Sequence, residues 1–201
     1  MSLPQNIGDY LKFIATETAR MAWPGSMMRG RHQILKKEAK KKTETFFAEE
    51  FPIRALWDNL AVVADDYRNW HRKVCRDLAR WLVKHKRMGA EGNIPEAVAA
   101  KLLDTFMHQL MKTERFRVLW PELYLPLDRR VFAVLHSPDI ELDGKDRINE
   151  ILRKSPYSIS RKEYETVQES LLSLLALQKS KTSFRREDLW TSRIELNCLW
   201  L

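Results

Sequence analysis

From Trp57 to Trp81, large or apolar side chains return every three or four residues: Trp57, Leu60, Ala64, Tyr67, His71, Val74, Leu78 and Trp81. That interval places them on one face of an α-helix. It predicts a long helix over residues 54–87, ended by Gly89, Gly92 and Asn93. A helix with so broad an apolar stripe must bury it against other elements. The rest of the chain offers helices for that purpose, since no segment carries strand alternation of useful length.

A first helix is expected over 6–22, with Tyr10, Phe13, Ile14 and Met21 apolar, and Pro24-Gly25 stops it. Residues 31–50 read as a second helix or a basic arm, broken by Pro52. Pro95 opens a helix to about 118, which Trp120-Pro121 closes. A short helix follows Asp128 and stops at Ser137-Pro138, and Asp143 caps another to about Lys154. Ser160-Arg161-Lys162-Glu163 is a capping box, with Ile159 and Tyr164 spaced as a hydrophobic staple. Its helix runs to about Lys179. Ser183 is placed to cap a last helix over 185–200.

The expected fold is all-α, with about seven to nine helices. At 201 residues the chain forms one globular unit or two small ones. The division expected is 25–125 against 126–201 plus 1–24, two helical subdomains packed around a central groove.

Lysine and arginine outnumber aspartate and glutamate by 35 to 27, a net charge of +8. That excess points to an anionic partner, nucleic acid first. Much of it is patterned. Arg68, Arg72, Arg76, Arg80 and Lys84 follow one another at i+4 along the long helix, opposite its apolar stripe. Like charges at that spacing repel by roughly 0.2–0.5 kcal/mol per pair. The ridge reads either as a solvated face or as a phosphate track, for which guanidinium groups are well shaped. Arg29, Arg31, Lys36, Lys37, Lys40, Lys41 and Lys42 form a second basic run, opposed only by Glu38.

Cys75 and Cys198 have neither disulfide-framework nor metal-ligand spacing, and read as free thiols of a reducing, cytoplasmic setting. The five histidines make no metal spacing with cysteine or carboxylate, so neither metal nor cofactor is expected. The longest apolar run near the C-terminus, Leu174–Leu177, is far too short to cross a bilayer. No phosphate-binding glycine loop, zinc-protease helix or nucleophile elbow is present.

The stretch most suggestive of chemistry is Leu125-Pro126-Leu127-Asp128-Arg129-Arg130-Val131. Pro126 cannot sit inside a helix, Asp128 is a favoured N-cap, and Val131, Phe132, Val134 and Leu135 begin an apolar run behind it. A carboxylate there meets free N–H groups and the positive end of the helix dipole. It therefore stays ionised and can face a developing positive charge. As a plain structural cap it would do the same for the helix alone.

This segment resembles the catalytic-aspartate segment of the helix-hairpin-helix DNA glycosylase superfamily. The resemblance covers about ten residues. It implies that Asp128 stabilises positive charge on the sugar while a flipped base departs. In bifunctional members a lysine about twenty residues earlier, in a glycine-containing hairpin, attacks the sugar. Here no glycine lies between Gly92 and Gly144, and positions 108–110 are His108, Gln109 and Leu110. Lys112 and Lys101 lie sixteen and twenty-seven residues before Asp128, available only to a rearranged hairpin. The resemblance thus implies a monofunctional, divergent enzyme acting on a modified or damaged base in duplex or single-stranded DNA, in repair or antiviral defence. His108, Trp120, Tyr124 and Tyr157 are the candidate base-pocket residues. The phosphate contacts would come from the ridge and from Arg31, Lys36, Lys37 and Arg129. No obligatory protein partner is evident.

Two other readings use the same residues. One is a non-enzymatic basic module binding DNA or RNA. The other is a helical interaction or regulatory domain, using Leu171–Leu177 and the Trp190/Trp200 tail as an oligomer face.

Overall fold

The computed structural model describes residues 6–22, 41, 43–84, 96–127, 129–136, 145–156 and 158–180. Among the described residues all regular structure is helical, in ten elements. Eight are α-helices: α1 Ile7–Ala22, α2 Ile53–Asp58, α3 Leu60–Asp65, α4 Tyr67–Lys84, α5 Glu96–Leu110, α6 Arg129–Leu135, α7 Lys145–Leu152 and α8 Arg161–Ser180. The other two are a π-helical turn, Phe46–Glu50, and a 3-10 helix, Glu114–Glu122. The chain divides into two compact units, 1–94 with 105–119, and 95–104 with 120–201. Helix α5 supplies its first nine residues to the second unit and its last six to the first.

The helix expected over 54–87 is interrupted twice. Asn59 and Asp66 both have φ −127°, with ψ of 32° and 39°. Hydrogen bonding continues across each break, from Asn59 N–H to the Ala55 carbonyl (3.1 Å) and from Asp66 N–H to the Val62 carbonyl (3.2 Å). The cause is local. Asparagine and aspartate side chains compete for backbone groups and weaken a helix interior. Asn59 Nδ2 donates to the Ala55 carbonyl at 2.9 Å, and Asn69 Nδ2 donates to Asp66 Oδ1 at 2.9 Å. The result is three helices where periodicity alone predicts one.

The first unit is built on aromatic rings. In the π-helical turn the Phe51 N–H reaches back five residues to the Phe46 carbonyl at 2.8 Å. That turn sends Phe46, Phe47 and Phe51 inward together, each at most 5% exposed. Phe47 stacks on Phe106 with centroids 4.1 Å apart and planes 18° apart, and Phe51 meets the same ring edge-on at 4.9 Å. Phe46 touches Trp81, and Phe51 touches Trp70. Trp57 receives Tyr10 and Phe116 edge-on, with the Arg115 guanidinium 4.4 Å from its ring centroid. Offset and edge-to-face geometry are the arrangements the ring quadrupoles favour. Helix α1 packs on the π-turn and α2, so it belongs to the first unit. The division expected from sequence groups 1–24 with the C-terminal half instead.

The second unit packs α7 between α6 and α8. Ile148, Ile151, Val131, Phe132, Leu135, Val167 and Leu171 fill its interior. Leu171 is fully buried, whereas Leu172 is 43% exposed. The side chains of 174–177 and the tryptophans of the C-terminal tail lie outside the described residues.

The predicted capping box is present at the start of α8. Glu163 N–H donates to Ser160 Oγ at 3.3 Å, and Ser160 N–H donates to Glu163 Oε2 at 2.7 Å. Ile159 and Tyr164 are both buried, as a staple requires. Lys154 also bonds Glu163. The lysine, then the Ser160 N–H and hydroxyl, pull the Glu163 carboxyl down from 4.5 to about 2. A carboxyl depressed on folding adds stability above its unfolded pKa, and that stability is lost as pH falls through the folded one. Glu163→Ala should therefore cost about 1 kcal/mol at pH 7, the usual worth of a helix cap. The deficit against wild type should shrink as pH drops from 4.5 to about 2, as read by thermal unfolding across that range.

Candidate functional site

Helix α8 carries two polar side chains on its buried face one turn apart, Tyr164 and Gln168, exposed by 0% and 1%. Gln168 Oε1 accepts the Leu125 N–H at 3.1 Å, and its Nε2 donates to the Leu125 carbonyl at 2.7 Å. Leu125, Pro126 and Leu127 are non-helical, and both leucines are buried. A buried extended residue has no helical partner for its N–H and C=O. One amide side chain, donor and acceptor together, supplies both bonds. Gln168 thus fixes the approach to α6, which starts at Arg129. The apolar run behind Asp128 predicts a short helix, and α6 is that helix. Asp128 itself lies outside the described residues.

Tyr164 donates its hydroxyl to Asp104 Oδ2. Asp104 is 1% exposed and Lys101, one turn earlier on α5, is 8% exposed. Arg161 lies over the Tyr164 ring at 5.2 Å and pairs with the buried Glu165 at 2.7 Å. Burying charge is tolerated only with such partners. At this depth Asp104 is an anchor of the core with no solvent face to offer a substrate.

The expected site residues take different places. Lys112 is exposed, just past the end of α5, while Lys101 is buried on it. His108 belongs to the first unit and is half-buried. Burial, and then the Lys112 charge, push its pKa below the usual histidine value. Trp120 and Tyr124 belong to the second unit. Trp120 is half-buried, and Tyr124 is 6% exposed with its ring 6.0 Å from Tyr164. Tyr157, Arg31, Lys36 and Lys37 lie outside the described residues, as does the side chain of Arg129.

The ridge of α4 has the orientation that its spacing predicts. Tyr67, His71, Val74, Cys75, Leu78 and Leu82 are buried. Arg68, Arg76, Arg80 and Lys84 are exposed, and Arg72 is half-buried. Asp77 is the one carboxylate within α4, and Arg80 reaches it at 3.4 Å with both side chains largely in solvent. Such a pair contributes at most about 1 kcal/mol. His71 and Cys75 sit inside, with Cys75 Sγ 3.6 Å from His71 Nδ1.

Among the described residues, no cluster of three or more His, Cys, Asp or Glu could hold a metal, and no helix is long and apolar enough to cross a membrane.

Sequence reasoning missed Gln168 and the Asp104–Tyr164 pair. Their signal is faint but present: Tyr164 and Gln168 share a helix stripe with Val167 and Leu171. No protein-family profile matches this chain, and no curated protein or solved structure is significantly similar to it.

Gln168→Ala leaves two buried backbone groups of Leu125 unpaired. It should cost about 2–4 kcal/mol, measured by urea unfolding, and should speed hydrogen exchange at the Leu125 amide. Lys112→Gln should raise the His108 pKa, followed by NMR titration of the ring. The pKa should nonetheless stay below 6.5, because burial is the larger cause.

Proposed function

We propose that this protein is a DNA glycosylase, releasing a modified or damaged base with Asp128 as the carboxylate that faces the sugar. The observation that carries the reading is the Gln168 clamp on Leu125, three residues before Asp128, in a segment that leads directly into α6. A catalytic carboxylate must be held within a fraction of an ångström to act on a transient charge. A buried bidentate clamp and a following helix are a means of holding it. The resemblance of Leu125–Val131 to the glycosylase aspartate segment supports the same reading.

In this mechanism the base leaves C1′ with the bonding electron pair, and the sugar becomes oxocarbenium-like. The Asp128 carboxylate stabilises that cation, and water adds to C1′ with loss of a proton. Lys112, exposed and far earlier in the chain, has no role in this route, which makes the enzyme monofunctional. Modified DNA, met in repair or in antiviral defence, is the substrate class.

A second reading is favoured by α4: a non-enzymatic module that holds DNA by its phosphates. Five cations at i+4 spacing, four of them exposed, match a phosphate track.

One experiment separates the two. Duplex and single-stranded DNAs carrying normal, oxidised, deaminated, alkylated and hydroxymethylated bases are incubated with wild type, Asp128→Asn and an Arg76→Gln/Lys84→Gln double variant. Products are read with and without alkali. Glycosylase action predicts alkali-dependent cleavage, reduced roughly 10²–10³-fold in Asp128→Asn, with binding kept. The double variant should lower the salt dependence of binding by up to about two phosphate contacts. Binding without product on any base leaves the second reading standing and ends the first.

A further inference from the structure

The cations of α4 do not all share one side of the helix. A step of four residues advances about 40° past a full helical turn, so the row from Arg68 to Lys84 winds from a flank to the outward face. Burial follows that turn. The buried positions Tyr67, His71, Val74, Cys75, Leu78 and Leu82 centre about 70° from Arg68 but about 170° from Arg80, at about 100° per residue. Alternating steps of three and four hold a straighter line. Asn69, Lys73, Arg76, Arg80 and Lys84 make that line, and all five are exposed. Lys73 is the cation that the i+4 row leaves out. Arg72 is half-buried, and both Arg68 and Arg72 have interactions within the protein. Among the described residues no ion pair engages Lys73, Arg76 or Lys84, and Arg80 reaches Asp77 at 3.4 Å.

From Lys73 to Lys84 the stripe is about 16 Å long, at about 1.5 Å per residue. Its chemistry narrows the anion it fits. A helix lying in a membrane surface inserts its apolar face, and the apolar face of α4 is buried in its own unit. Single strands are held by stacking bases on aromatic side chains, and the stripe has none: Trp70 and Trp81 lie against Phe51 and Phe46. A helix fills a major groove of about 12 Å only when most of its circumference is bare, which the buried half of α4 prevents. A duplex backbone met from outside the grooves is what four aligned cations suit, since duplex DNA carries one charge per about 1.7 Å of its axis. We infer that Lys73, Arg76, Arg80 and Lys84 bind one sugar–phosphate backbone of duplex DNA without entering a groove, and that Arg68 and Arg72 take no part. This rests on the DNA-binding reading of α4, replaces its contact set, and uses no property of Asp128.

The test is the salt dependence of binding by the full chain, read by fluorescence anisotropy of a labelled duplex of mixed sequence. Wild type should show a log–log slope of up to about −3.6, four contacts at about −0.9 each. Lys73→Gln should remove about one contact, and Arg68→Gln none, although each deletes one exposed positive charge. A Lys73→Gln/Arg76→Gln/Arg80→Gln variant should lose about three contacts with its far-UV circular dichroism unchanged. A duplex of unrelated sequence should bind alike, and a single strand of equal length and vesicles rich in phosphatidylserine should bind more weakly. Equal losses at Arg68 and Lys73, a triple variant with the wild-type slope, or tighter binding of the single strand or the vesicles would overturn the stripe. Such a result with duplex binding intact leaves the DNA-binding reading in place. No salt-dependent duplex binding by wild type ends both.

Discussion

The second unit depends on the side-chain amide of Gln168. An extended segment running through a core must find partners for its backbone groups away from water, and helices cannot supply them. Gln168 does so for Leu125 with one donor and one acceptor. Leu125 can then be buried with both of its backbone groups paired. One turn away on the same helix, Tyr164 secures Asp104. The two contacts tie α8 to the start of α5 and to the strap before α6. The capping box that starts α8 sets the register from which both side chains reach inward.

The first unit solves a different problem. Its interior is a set of rings whose packing requires one irregular turn. A regular α-helix through 46–51 would spread Phe46, Phe47 and Phe51 over about 140° of its circumference, since it spaces residues by about 100°. The π-turn widens that stretch and lets Phe47 and Phe51 close on Phe106 from two directions. Against this core α4 buries one face and leaves its arginine ridge outside. The charge repulsion along the ridge is tolerated because the opposite face, with Tyr67, His71, Val74 and Leu78, is fully committed to burial. A stable helix with a basic face turned outward is the physical basis for expecting an anionic partner.

Much of this was legible from residue order. The all-helical class, the exposure of Arg76, Arg80 and Lys84, the burial of Val74 and Leu78, and the box at Ser160–Glu163 all follow from spacing within a single helix. The breaks at Asn59 and Asp66 were visible as residue types but not as kinks. Whether an asparagine bends a helix depends on its side chain finding the Ala55 carbonyl. The pairing of Asp104 with Tyr164 and of Leu125 with Gln168 joins residues 60 and 43 positions apart. No local rule reaches that far.

The sequence by itself therefore determined the helices, their wet and dry faces, and a charge pattern suited to phosphate. Those properties arise from repulsion, burial and capping between residues at most four apart. Only the tertiary structure decided that Gln168 is the clamp on the strap ahead of Asp128 and that Lys101 is buried while Lys112 is exposed. Each of those depends on which distant backbone or side-chain group meets a polar atom once water has been removed, and desolvation is a property of the packed chain alone.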